Sequence, residues 1–108
     1  MNKPVYFQRN IENIVAIANY RNIKVVLASF AYSDFGQEEA EKLFKQSIDE
    51  TNQILQDVSK STNAYFFDFA EYFPRDDNYF TDGIHVNEEG AELKAELFAN
   101  FLVKNNLL

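Results

Sequence analysis

Cysteine is absent from the 108 residues. That removes disulfides, cysteine-ligated zinc and thiol catalysis, and leaves the redox compartment open. Positive charge is scarce: 10 Lys and Arg face 17 Asp and Glu, for a formal net charge of −7 and a pI near 4.6. Nucleic acids and anionic membrane surfaces both require a basic face, so neither is an expected partner. The balance suits a neutral or cationic partner, or simply a soluble surface. No apolar run reaches 18 residues, so no transmembrane helix is predicted. The opening Met-Asn-Lys-Pro-Val-Tyr-Phe-Gln-Arg lacks the apolar core of a signal peptide, and localisation stays unknown. Glycine occurs three times, as Gly36, Gly83 and Gly90, and histidine once, as His85.

What is present is a globular composition, with 46% apolar and 25% charged residues. Eleven Phe and six Tyr supply large buried surfaces for one small domain over 1–108. Phe7, Ile11, Ile14, Val15 and Ala18 recur at helical spacing, which predicts a helix from Pro4 to about Asn22. Residues 23–30, Ile-Lys-Val-Val-Leu-Ala-Ser-Phe, read as a strand buried on both faces. A loop over 31–37 follows. A helix is predicted over 38–60, with a stripe of Phe44, Ile48, Thr51, Leu55 and Val58 supported by Leu43 and Ile54. Its acidic first turn complements the helix dipole.

Residues 64–69, Ala-Tyr-Phe-Phe-Asp-Phe, read as a second strand, and 71–81 as an aromatic-rich loop. Asn87 is a good helix N-cap for a last helix carrying Leu93, Leu97, Phe98, Phe101 and Leu102 on one face and ending near Asn105. Strand, long helix, strand is a βαβ unit, so the strands should be parallel. The order α-β-α-β-α is part of a doubly wound parallel sheet, an α/β fold with helices on both faces when complete. Two strands leave a wide sheet edge unpaired. The chain should therefore be complemented by another copy, a partner, or a further segment of a longer protein.

Ligands of such sheets bind at the carboxyl ends of the strands. The rim there consists of residues 30–37, 68–81 and the turn Asp82-Gly83-Ile84-His85. An Asp three residues before a His, on a turn that Gly83 permits, places a carboxylate beside an imidazole. The carboxylate can then fix the ring tautomer and stabilise an imidazolium. Asp82, His85 and Asp76 or Asp77 are ligand types suited to Zn or Mn. There is no second His and no dedicated spacing, so no metal site is read here. Ser29 and Ser33 are the local hydroxyls, neither in a nucleophile elbow, and both read as strand-end and loop hydroxyls. Asp68 reads as a strand-end turn carboxylate. Tyr72, Phe73, Tyr79 and Phe80 either line a pocket or pack against the sheet.

Asp-Gly-Ile-His followed by Val-Asn-Glu-Glu-Gly and an amphipathic helix resembles the last signature block of the SGNH (GDSL-type) esterases and acylhydrolases. The resemblance covers the second half of that family's domain. It implies a flavodoxin-like three-layer α/β/α fold and the His-Asp portion of a serine triad, with His85 as general base and Asp82 as its orienting partner. It also implies an ester substrate (acylated sugar, lipid or small ester), no cofactor, and a subsite to which Tyr32, Ser33, Tyr79 and Phe80 are candidate contributors. The family's Gly-Asp-Ser block, which carries the nucleophile, and its Gly-x-Asn-Asp block, which carries oxyanion donors, are absent: the three glycines are followed by Gln37, Ile84 and Ala91. The resemblance thus implies that the nucleophile comes from a missing N-terminal half and that the chain alone is inactive or nearly so. The alternative from the residues is a non-catalytic module that buries its open sheet edge by association, as a homo-oligomer or on a partner.

Overall fold

The computed structural model describes residues 4–34 and 38–108. The stretch 35–37, part of the expected loop and containing Gly36, lies outside the described residues. Among the described residues, four α-helices and two strands appear in the order α1 (Val5–Tyr20), β1 (Val26–Ala28), α2 (Glu39–Ser61), β2 (Tyr65–Phe67), α3 (Phe69–Tyr72) and α4 (Glu88–Lys104), with a 3₁₀ turn over Asp77–Tyr79 before α4. β1 and β2 pair in parallel, with Val26 opposite Tyr65, Leu27 opposite Phe66 and Ala28 opposite Phe67. The molecule is therefore a mixed helix–strand fold on a two-stranded parallel sheet, with α2 as its crossover.

The pleat divides the strand side chains between two apolar clusters. Val25, Leu27, Ala64 and Phe66 join Val15, Phe7 and Ile11 of α1 and Ile54, Leu55 and Val58 of α2. Val26, Ala28 and Phe67 join Phe69, Phe73 and Phe80 with Leu93, Leu97, Phe98 and Phe101 of α4. So α1 and α2 cover one face and α4 the other. The second cluster is held by rings: Phe67 packs edge-on against Phe98 and stacks with Phe101 at 5.0 and 4.6 Å between centroids.

Two helices end without glycine. Asn22 and Asn106 take left-handed φ values of 58° and 56°. Beyond them Ile23 N–H donates to Ala18 O and Leu107 N–H to Leu102 O, while Asn22 and Asn106 donate to Asn19 O and Val103 O. Both are Schellman closures, with Asn in the position glycine usually fills. The first uses up Ile23, which the sequence assigns to the strand.

The strands are shorter than expected: three residues each where the sequence suggested eight and six. The reason is pairing. Among the described residues β1 has a neighbour on one side only, and the ladder lasts only where β2 runs beside it. Ile23 and Phe30, at the two ends of the expected strand, are exposed. Within the expected loop 71–81 lie the end of α3 and the 3₁₀ turn, both too short to leave a periodic signature.

Candidate functional site

The site is a loop tied off at its base. Phe80 and Val86 form an antiparallel bridge. Above it, Thr81 donates to the His85 carbonyl through its N–H at 2.8 Å and its hydroxyl at 3.1 Å. Asn87 holds the outgoing end: its N–H donates to Tyr79 O, its side-chain amide to Asn78 O, and its Oδ1 accepts from Gly90 N–H at 2.8 Å. The last of these bonds is the N-cap of α4. Gly90 lets α4 approach this closely, because a Cβ there would lie 2.2 Å from Tyr79 O.

Inside the loop the Asp82 carboxylate makes three contacts. Oδ1 accepts from the N–H groups of Ile84 at 3.0 Å and His85 at 2.7 Å. Oδ2 accepts from His85 Nδ1 at 2.6 Å. Gly83 turns the chain with φ 89°, a region that favours glycine, and its carbonyl accepts from Ser33 N–H at 2.8 Å. The His85 N–H, then the His85 ring and the Ile84 N–H, hold the Asp82 carboxyl down to about 2. Asp82 is therefore ionised at neutral pH. An ionised carboxylate accepts only, so Nδ1 carries the proton, and in the neutral ring the lone pair is on Nε2. The His85 side chain is 77% exposed, and Nε2 has no hydrogen-bond partner among the described residues. Chemically this is an oriented, accessible imidazole base with an anion behind it.

The four residues expected at a subsite are placed differently. Tyr32 is buried; its hydroxyl donates to Asp49 Oδ1 at 2.9 Å and the Arg75 guanidinium lies 4.8 Å above its ring. Burial and the Asp49 bond push its hydroxyl pKa up. Ser33 is fully buried, with its N–H on Gly83 and no partner for its hydroxyl among the described residues. Phe80 is buried and meets Phe73 edge-on at 5.4 Å. Tyr79 is half-buried, packs on the Phe73 ring and presents its carbonyl to Asn87. Ser33, Tyr79 and Phe80 thus brace the His85 loop from within, while Tyr32 anchors the neighbouring segment to α2. Ser33 and Phe80 in particular present no free surface to a substrate.

Neither local serine is an available nucleophile. Ser29 is buried, donates to Asp68 Oδ1 at 2.8 Å and accepts from Ala70 N–H at 2.8 Å, tying the two strand ends together. Asp68 accordingly acts as a strand-end carboxylate beside the start of α3. Among the described residues no three His, Asp or Glu side chains converge as a metal site.

Next to the loop is a feature that periodicity did not reveal, a cleft of about 440 Å³. Ile84 and Val86, the two neighbours of His85, line it; His85 does not. Phe44, Ile48 and Phe98 also line it, three residues whose spacing marks them as core. Phe98 does join the second cluster, whereas Phe44 is exposed beside the open side of the sheet, which no sequence stripe reports.

No family model matches the chain, and comparison with curated proteins and solved structures finds no match either.

Proposed function

We propose that this chain carries the histidine–aspartate half of a serine ester hydrolase of the SGNH type, with the nucleophile supplied by a complementing N-terminal segment. The observation behind this reading is the 2.6 Å bond from His85 Nδ1 to Asp82 Oδ2, which leaves Nε2 free and exposed on the Asp-Gly-Ile-His turn. The two strands and the helices on both faces fit part of a doubly wound, flavodoxin-like sheet.

In the complete enzyme, Nε2 takes the proton of the incoming serine hydroxyl as its oxygen attacks the ester carbonyl carbon. Asp82 stabilises the imidazolium formed. When the tetrahedral intermediate collapses, the alcohol leaves with that proton and an acyl-serine remains. Water enters, gives its proton to Nε2 and attacks the acyl group. The acid is released as the proton returns to serine. Oxyanion donors come from the complementing segment, and the substrate is an ester of a sugar, a lipid or a small alcohol. The chain by itself has little or no turnover.

The test is to refold the chain with an N-terminal SGNH segment bearing the Gly-Asp-Ser and Gly-x-Asn-Asp blocks and to follow p-nitrophenyl butyrate cleavage. Turnover should appear only in the mixture and fall by roughly 10²- to 10⁴-fold in His85→Ala, the usual contribution of a general base. Turnover indifferent to His85→Ala, or already present in the chain alone and indifferent to that change, would remove the assignment. The open edge of β1 also supports a second reading, a partner-binding module in which the Asp82–His85 pair only closes its turn. Tight association without any turnover would favour that one.

A further inference from the structure

We infer that the free edge of β1 is a docking slot for an extended strand of a different polypeptide, and that a second copy of this chain does not fill it. The inference stands whether or not His85 acts as a base.

The cleft beside the His85 loop has lining residues from α2, which covers one face of the sheet, and from α4, which covers the other. Its only strand contribution is the carboxyl end of β1; β2 contributes none. A space bounded by both helix layers and by one strand lies at the edge of the sheet, not on a face. β1 hands the backbone of Val25, Leu27 and Ser29 to β2, as Tyr65 N–H on Val25 O and Ser29 N–H on Phe67 O show. In a parallel ladder the alternate residues point the other way. The N–H and C=O groups of Val26 and Ala28 therefore point away from β2 to the free edge, and Ala28 also lines the cleft.

Phe30 is next in that series, and its backbone is already taken. Its N–H donates to Asn52 Oδ1 at 2.7 Å and its C=O accepts from Asn52 Nδ2 at 3.0 Å. The α2 amide thus occupies the place a neighbouring strand would take and marks where pairing stops. A docked strand pairs along Val26 and Ala28 and ends below Phe30.

Three observations identify the occupant. First, α1 and α2 lie side by side on one face. Helices pack ~10 Å apart and strands ~4.8 Å, so this layer spans the width of about four strands, and only two are present. A second copy would bring further helices to both faces, where the layer needs strands alone. Second, each chain carries −7, so a pair of copies concentrates like charge. Third, the accessible surface is 7543 Å², about 1,300 Å² above that of a compact monomer of this mass. The excess comfortably covers the ~800 Å² that one partner contributes to a standard interface. An acyl chain would fill the apolar space but leave the Val26 and Ala28 backbone groups without partners, which a strand does not. Phe44 and Ile48 of α2 and Phe98 of α4 line the cleft together with Ser47, Thr51 and Lys94, so the docked strand is apolar at its centre, with basic flanks to suit the acidic chain.

The probe is a nine-residue peptide, Lys-Lys-Val-Ile-Val-Val-Thr-Lys-Lys, followed by amide hydrogen exchange and sedimentation. The isolated chain should sediment as a monomer. Saturating peptide should slow exchange at Val26 and Ala28 at least tenfold and leave Phe66, on the outer side of β2, unchanged. Peptide N-methylated at alternate valines should lose binding, which keeps the test intact if Ala28→Pro fails to fold. If it folds, Ala28→Pro should weaken peptide binding at least tenfold. A dimer whose Val26 and Ala28 amides are already protected would show that a second copy holds the edge, and would overturn the inference. So would equal binding of the N-methylated peptide, or dodecanoate binding in the cleft in place of peptide.

Discussion

Replacing Gly90 by Ala puts a methyl carbon 2.2 Å from the Tyr79 carbonyl oxygen and 3.0 Å from Val86 Cβ. In an ordinary helix this exchange stabilises by about 1 kcal/mol, because alanine is the better helix former. Here the obstacle is backbone. Tyr79 O is pinned by the Asn87 N–H at 2.9 Å, and Tyr79 belongs to the 3₁₀ turn. Restoring contact distance requires α4 and that turn to part by about 1 Å, as repulsion rises steeply below ~3 Å. Overpacking costs about 1–3 kcal/mol, and the fixed carbonyl places this case at the upper end. Less the helix-propensity gain, the net loss is about 2 kcal/mol. For 108 residues that lowers the melting temperature by about 9 °C. Thermal unfolding followed by circular dichroism measures it. A melting temperature equal to or above that of the parent chain would refute the packing argument. The loop bearing His85 would then not depend on this close approach.

Three further outcomes follow from the hydrogen bonds at the strand ends and the loop. The Asp82 carboxyl sits at about 2 in the folded chain against an ordinary 3.8, so it contributes stability above the ordinary value that is lost as pH falls from about 4 through about 2. Denaturant midpoints of the parent should drop over that window by more than those of Asp82→Asn; parallel curves would mean the carboxylate makes no such bonds. His85 is the only histidine, so its ring nitrogen resonances stand alone, and they should report Nδ1–H in the parent and lose that preference in Asp82→Asn. Ser29→Ala strips a partner from Asp68 and from the Ala70 N–H, and should cost about 1–3 kcal/mol in urea unfolding. A loss below about 0.5 kcal/mol would show that the strand ends are not tied through this hydroxyl.

The parts of this structure legible in the sequence are those whose cause is local. Leu55 and Val58 are buried as the stripe on α2 predicts, Asn87 caps α4, and Asp82 reaches His85 across three residues. The illegible parts depend on what lies across space. Leu43 and Phe44 share the α2 pattern yet are exposed, as is Ile14 on α1, and Phe44 lines the open cleft instead of a closed core. Tyr32 and Ser33 enter the expected subsite through the resemblance. Asp49 and the Gly83 carbonyl, respectively, draw them inward, contacts between distant stretches that no periodicity encodes. Gly90 has its own lesson: the sequence marks it as part of a block, and only the 2.2 Å approach supplies a physical reason.

The molecule measures 43 × 35 × 16 Å, with a radius of gyration of 15.1 Å against about 13 Å for a compact chain of this length. A slab this thin keeps much of its apolar surface wet in the native state, so unfolding exposes less than the residue count suggests. Its heat-capacity increment and its sensitivity to urea, both proportional to newly exposed area, should therefore fall below the values usual for 108 residues. The deficit reappears on association: burying the edge carries a negative heat-capacity change. A partner that fits this chain thus completes its thermodynamics as well as its sheet, steepening a stability curve that is shallow when the chain stands alone.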